Sequence, residues 1–283
     1  MQEFVADTPF GRITGLRSTH PRADAPKVLA LHGWLDNAAS FIPLAAHLPA
    51  LHVAAPDQPG HGGSPHLPPA ADYSVVGSAR AAFAVADALG WERFTLLGHS
   101  LGGAVATAMA AAAPQRIERL VLIEALGALV ERSDATAQRL RESFNAQASA
   151  NARGLRVFND VATAVRARMQ ANGLDEASAR LLVERGIAPV DGGFVWRSDP
   201  RLTRPTAVRM TEPQVRDLVA AIECPACVIY AEPAQPYFPE PLRSERAALL
   251  RDVQLHRIEG GHHLHMDDAG RIAAIIRRFM SAG

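Results

Sequence analysis

The sequence predicts an α/β protein with a mostly parallel, doubly wound sheet, and three observations lead there. Strand-like apolar runs alternate with helix-like stretches through the first 124 residues, which is the rhythm of strand–crossover–strand units. The run 27–34, Lys-Val-Leu-Ala-Leu-His-Gly-Trp, is apolar on both faces, as befits a strand covered on both sides. Finally, Phe94-Thr95-Leu96-Leu97-Gly98-His99-Ser100-Leu101-Gly102-Gly103 reads as a buried strand, a sharp G-x-S-x-G turn and the start of an Ala-rich helix that runs to about Ala113.

Taken in order, the chain begins with a hairpin, Phe4-Val5 against 12–16, turning at Pro9-Phe10-Gly11. The strand 27–34 follows, then a helix over 40–48, a strand over 52–55 and the Gly-rich turn 57–64. A helix from 74 to 89 stops at Gly90 and leads into the Ser100 unit. The strand 120–123 ends at Glu124. From 125 to 210 the strand rhythm disappears, and helices are expected near 134–150, 160–170 and 175–185, with a Gly192-Gly193 turn entering Phe194-Val195-Trp196-Arg197. The core pattern then resumes: helix 212–222 with Pro213 in its first turn, strands 226–231 and 253–258, and an amphipathic helix over 269–280. The expected organisation is therefore a core in two parts, 1–124 and 211–283, with a helical insertion, 125–210, above the C-terminal edge of the sheet, where ligands bind in such folds.

Composition narrows the function classes. The chain has 283 residues, enough for one large domain with an insertion. Its 29 Lys and Arg balance 29 Asp and Glu, which argues against a nucleic-acid or anionic-membrane surface. The segment 1–7 has neither a basic nor an apolar stretch of the secretory kind, so a cytoplasmic location is expected. The apolar run 101–113 is too short to span a bilayer and is stopped by Pro114. Cys224 and Cys227 form a C-x-x-C at the entrance of a strand, with no second pair to complete a zinc site, and read as small apolar residues.

The chemistry gathers around Ser100. A serine in such a turn is lifted into the open, and the N–H of Leu101 at the helix N-terminus favours an anionic oxygen. Ser100, then an acid, then a histidine near the C-terminus is the chain order of a hydrolase triad. With His32-Gly33-Trp34, the Gly98–Gly103 turn and Gly261-His262, the chain resembles the α/β-hydrolase superfamily over its whole length. The phrases His32-Gly33-Trp34-Leu35-Asp36-Asn37-Ala38-Ala39-Ser40-Phe41, Asp57-Gln58-Pro59-Gly60-His61-Gly62 and Trp196-Arg197-Ser198-Asp199-Pro200-Arg201 look like its serine hydrolase-like subgroup. The resemblance implies an α/β-hydrolase fold with a helical lid inserted after the strand that follows the nucleophile helix. It also implies that His32 and His61 organise their turns, while His99, at the x of G-x-S-x-G, packs.

In most relatives the acid would fall at Ala234, which cannot serve. Two acids remain open, Glu124 and Glu232. Glu124 is preferred because it follows the strand after the nucleophile helix, where one branch of the haloalkane dehalogenases carries its acid, and Ile123-Glu124-Ala125 and Ala231-Glu232-Pro233 resemble that branch. Serine at position 100 argues against dehalogenase or epoxide-hydrolase chemistry, which needs an aspartate there. Among His262, His263 and His265, the Gly-His step favours His262, with His263 as a neighbour pointing away and His265 at the pocket rim or structural.

The sequence-level reading is thus an esterase-like enzyme. Ser100 attacks the carbonyl, His262 moves the proton, Glu124 orients His262, and the N–H groups of Trp34 and Leu101 bind the oxyanion. C–C hydrolysis of a β-diketone-like substrate and a non-catalytic ligand receptor are the alternatives. The expected partner is a small-molecule acyl substrate, with no cofactor or metal, and the oligomeric state stays open between a monomer and a homodimer. Phe144, Phe158, Met169, Phe194, Trp196 and Met210 are candidates for an acyl pocket, though at helical spacing most would form the insertion's own core. Its arginines, Arg153, Arg156, Arg166, Arg168, Arg197, Arg201 and Arg204, read as an acid-paired surface, with an anionic substrate as the alternative.

Overall fold

A computed structural model describes residues 1–149 and 156–282. The main sheet contains β1 (Gln2–Thr8), β2 (Gly11–Arg17), β3 (Lys27–Leu31), β4 (His52–Pro56), β5 (Phe94–His99), β6 (Ile117–Ile123), β9 (Ala226–Glu232) and β10 (Val253–Glu259), while β7 (Ile187–Val190) and β8 (Gly193–Trp196) form a separate hairpin. The spatial order is β1-β2-β4-β3-β5-β6-β9-β10. β1 and β2 are antiparallel to each other and β2 to β4, and every pairing from β4 to β10 is parallel.

Both faces of the sheet are covered, and alternate residues of a strand feed different cores. Leu29, Leu31, Leu96 and Val228 pack with α2 (Val75–Ala88), α3 (Leu101–Ala112) and α7 (Glu212–Ala220). Val28, Ala30, Leu97 and Ile229 pack on the other side with α1 (Ile42–Ala46) and α10 (Ala269–Ser281). That explains the continuous apolar runs in the sequence: neither face of a central strand meets water.

Between β6 and α7 the chain forms α4 (Thr136–Ser149), α5 (Val161–Asn172), α6 (Glu176–Gly186) and the β7–β8 hairpin. The starts of α5 and α6 are written in the sequence. Asp160 and Asp175 accept from the N–H groups of Thr163 and Ser178, and Gly173 closes α5 at φ 67°. Phe158, Val165, Leu182 and Val183 form a local core with Met266 from α9 (Leu264–Asp267). Position 150, where the first of these helices was expected to end, and Arg153 lie outside the described residues.

Several boundaries differ from expectation for identifiable reasons. The strand 27–34 stops at Leu31, because the chain turns at once: the Asp36 N–H donates to the Gly33 carbonyl at 3.2 Å, and Leu35 has φ 59°. The helix expected over 40–48 is a 3-10 turn, Ala38–Phe41, capped by Asn37, followed by the short α1. β6 starts earlier than expected, at Ile117. β7 and α8 (Leu242–Ala247) were not anticipated. Among the described residues no helix is long and apolar enough to cross a membrane. Cys224 and Cys227 are free, and burial pushes their thiols up to about 11 and about 12, far from a reactive thiolate.

Candidate active site

The site is assembled at the C-terminal ends of β5, β6 and β9. Ser100 follows β5 directly and adopts φ 51°, ψ −116°, a conformation outside the usual regions for a side-chain-bearing residue. Two glycines make this turn possible. A Cβ on Gly98 would lie 2.5 Å from the Gly102 carbonyl oxygen, and one on Gly102 would run into the Leu31 carbonyl, so α3 sits on the sheet with no room for a side chain. The Ser100 N–H donates to the Ile123 carbonyl at 3.0 Å, which ties the turn to the end of the neighbouring strand.

Glu124 follows that strand, again with positive φ, 56°. Its N–H donates to the Ile229 carbonyl at 2.9 Å, and its side chain is buried at 4 % exposure. Each carboxylate oxygen has a task. Oε1 accepts from the Ala231 N–H at 2.6 Å and from the Arg243 guanidinium at 3.2 Å, while Oε2 lies 3.2 Å from His262 Nδ1. Strained backbone at both Ser100 and Glu124 costs stability and persists only where the surroundings hold it.

His262 lies just beyond β10. Its carbonyl accepts from His99 Nε2 at 2.9 Å, and the Tyr237 hydroxyl lies 3.4 Å from its Nδ1. Burial lowers the basicity of the His262 ring; Glu124 pulls it back up and His99 opposes that. Ser100, Trp34, Leu101, Glu124 and His262 all line one cavity of about 970 Å³. Leu101 is the first residue of α3, so its N–H is among those the helix leaves unpaired. The Trp34 indole donates to the Leu202 carbonyl at 2.8 Å, which holds the ring at the cavity mouth. Glu232 is elsewhere. It is partly exposed, 3.6 Å from Arg257, and is not part of the cavity wall.

The other sequence candidates divide. His32 and His61 are buried turn organisers: His32 Nε2 accepts from the Gln58 N–H at 2.9 Å. His263, expected to point away, turns inward instead; it reaches the carboxylate of Asp36 at 3.3 Å and lines the same cavity. His265 is fully buried and so is not a rim residue. Of the six apolar insertion candidates only Met210 lines the cavity; Phe158, Met169, Phe194 and Trp196 pack in the insertion's own core, and Phe144 is exposed. Arg168 departs from the surface reading, being buried and paired with Asp36, whereas Arg201 is paired with Asp199 as expected.

Sequence reasoning missed Asp36, Arg243 and the Tyr237-Phe238 pair. Asp36 carried a readable signal, an acid inside an apolar turn next to the oxyanion-hole segment. Among the described residues the one group with metal-ligand geometry is Asp36, His99 and His263, all buried.

Comparison with known proteins agrees with this architecture. Residues 26–203 match the profile of the alpha/beta hydrolase fold. A serine hydrolase-like protein of Dictyostelium discoideum is 30% identical over 92% of this chain and 76% of its own length. The crystal structure of a hypothetical protein from Pseudomonas aeruginosa PAO1 superposes with a TM-score of 0.93 at 37% identity, covering 99% of this chain and 100% of that one. A thioesterase domain from the curacin biosynthetic pathway superposes with a TM-score of 0.85 at 26% identity, over 98% and 99% of the two chains.

Proposed function

Since the chain belongs to the alpha/beta hydrolase fold family, we propose that it is a serine hydrolase that cleaves carboxyl esters or thioesters of small to medium acyl groups through Ser100, His262 and Glu124. The observation that carries this reading is the 3.2 Å contact between the buried Glu124 carboxylate and His262 Nδ1, in the same cavity as a serine at φ 51°. With Nδ1–H held by Glu124, Nε2 is the free base. It takes the Ser100 proton as the oxygen attacks the acyl carbon and returns it to the departing alcohol or thiol; water then repeats the cycle on the acyl-enzyme. Glu124 stabilises the imidazolium that forms in between. The N–H groups of Trp34 and Leu101 bind the oxyanion, each worth a few kcal/mol in the transition state.

The segment 125–210 acts in this reading as a lid that shapes the acyl pocket. Support comes from the cavity wall, where Leu129, Val208 and Met210 from this segment join Val75, Val76 and Phe238. The likeness to a thioesterase domain favours acyl transfer among the chemistries open to the fold.

The test is labelling by a fluorophosphonate probe with turnover of p-nitrophenyl acetate and butyrate. The parent protein labels and turns over, Ser100→Ala abolishes labelling and lowers kcat by at least roughly 10⁴-fold, and Glu232→Gln changes neither. A folded parent that neither labels nor turns over overturns the reading and leaves a ligand receptor on this scaffold.

A further inference from the structure

Behind the candidate active site lies a second polar cluster that the proposed hydrolysis does not use. Asp36 Oδ2 is 3.3 Å from His263 Nε2 and 3.6 Å from His99 Nδ1, and all three side chains are buried. The other Asp36 oxygen, Oδ1, is paired with the Arg168 guanidinium. The orientation of His99 follows from its other nitrogen. Nε2 lies 2.9 Å from the His262 carbonyl oxygen, which only accepts, so Nε2 carries the proton. Nδ1 faces the carboxylate at 3.6 Å and has no hydrogen-bond partner in the protein.

A carboxylate and an unpartnered ring nitrogen facing each other in a buried place leave a position for a cation between them. Two of the three donor spacings suit one. Donors about 2.0–2.1 Å from a tetrahedral ion stand about 3.3–3.4 Å apart along each edge, against 3.3 and 3.6 Å here. One donor atom from each of the three residues lies within 4.8 Å of the others. Gly33 leaves the room: a Cβ there would stand 2.8 Å from Asp36 Oδ2 and 2.9 Å from His99 Nδ1. Gly33, Asp36, His99 and His263 all line the cavity, which gives a path from solvent and an open fourth position.

We propose that Asp36, His99 and His263 form a binding site for a divalent transition metal of the zinc, cobalt or nickel kind, separate from the Ser100–His262–Glu124 constellation. Two imidazoles and one carboxylate are the donor set such ions take. His99 binds through Nδ1 and keeps its Nε2 proton on the His262 carbonyl. His263 binds through Nε2 with its proton moved to Nδ1, which has no partner in the protein. Arg168 occupies the other Asp36 oxygen, Oδ1, and so weakens the site without blocking it.

The test is titration of Co²⁺ into the metal-stripped Ser100→Ala protein, read by the visible absorption of the bound ion, with Zn²⁺ as competitor. Because Ser100 is absent, the outcome does not depend on whether the chain hydrolyses esters. One ion is expected to bind per chain. His263→Gln weakens it by at least about 30-fold, His262→Gln leaves it unchanged, and Arg168→Met tightens it about 10-fold by removing the competing charge. Imidazole NMR signals of His99 and His263 in the unsubstituted protein shift on Zn²⁺ addition, a readout that needs no variant to fold. No Co²⁺ uptake by the folded protein, or uptake lost with His262→Gln and kept with His263→Gln, overturns the proposal.

Discussion

Arg243 is the residue on which the buried acid depends. Its side chain is fully buried, donates to the carbonyls of Phe238 and Ala231 and to Glu124 Oε1, and lies over the Tyr230 ring at 4.7 Å. Replacing it with methionine removes the guanidinium paired with the buried Glu124 carboxylate and is expected to cost about 3–5 kcal/mol, read as a lower urea midpoint at unchanged slope. Nothing in the sequence announced this. Glu124 was legible from its place after a strand, but the partners of Arg243 are set by tertiary packing. His262 gives a second expectation at this scale. Burial lowers its pKa from the ordinary 6.5, and the neutral ring is the base, so kcat/KM for p-nitrophenyl acetate should rise with pH through a midpoint below 6.5 and level off above it. A midpoint above 7 would contradict the assigned environment.

Among the elements, α3 decides where the nucleophile stands. It meets the sheet through Gly98, Gly102 and Gly103, and a methyl group at Gly102 has only backbone to push against. Gly102→Ala should therefore lift the helix start, cost about 1–3 kcal/mol in denaturation, and reduce fluorophosphonate labelling even where the protein stays folded. Labelling at the parent rate would mean that the helix position is not critical. This unit was fully readable, since glycine spacing, strand and helix all fall within some twenty residues of chain. So were α5 and α6, whose Asp caps and Gly stops are local signals. α8 was not, because its buried residues include Arg243 and Arg246, an inversion of the apolar pattern by which a helix face is recognised. The strand at 27–34 was overextended for the opposite reason. His32-Gly33-Trp34 looks apolar in sequence, but His32 is buried by hydrogen bonds to the 57–64 turn.

For the whole molecule, the histidines tie stability to pH. His32, His61 and His265 are buried, and burial lowers each below 6.5, His61 to about 3. The folded protein keeps these rings neutral while the unfolded chain protonates them at about 6.5. Unfolding thus takes up protons as soon as pH drops below that value, and stability falls with falling pH by up to about 1.4 kcal/mol per pH unit for each such ring. The depressed carboxyls Asp36 and Asp57 act lower on the scale. Their contribution is present above their ordinary value of 3.8 and is lost only as pH falls through their still lower folded values. Acid sensitivity should therefore begin near pH 6.5 with the histidines and steepen below pH 3.8 with the carboxylates. Urea midpoints at pH 7.5, 6.5, 5.5 and 4.5 check this, and a curve flat down to pH 4.5 would show that the buried rings are protonated in the folded state. The rings that make the fold intolerant of acid, His32, His61 and His265, are thus distinct from those assigned to the metal site and the general base.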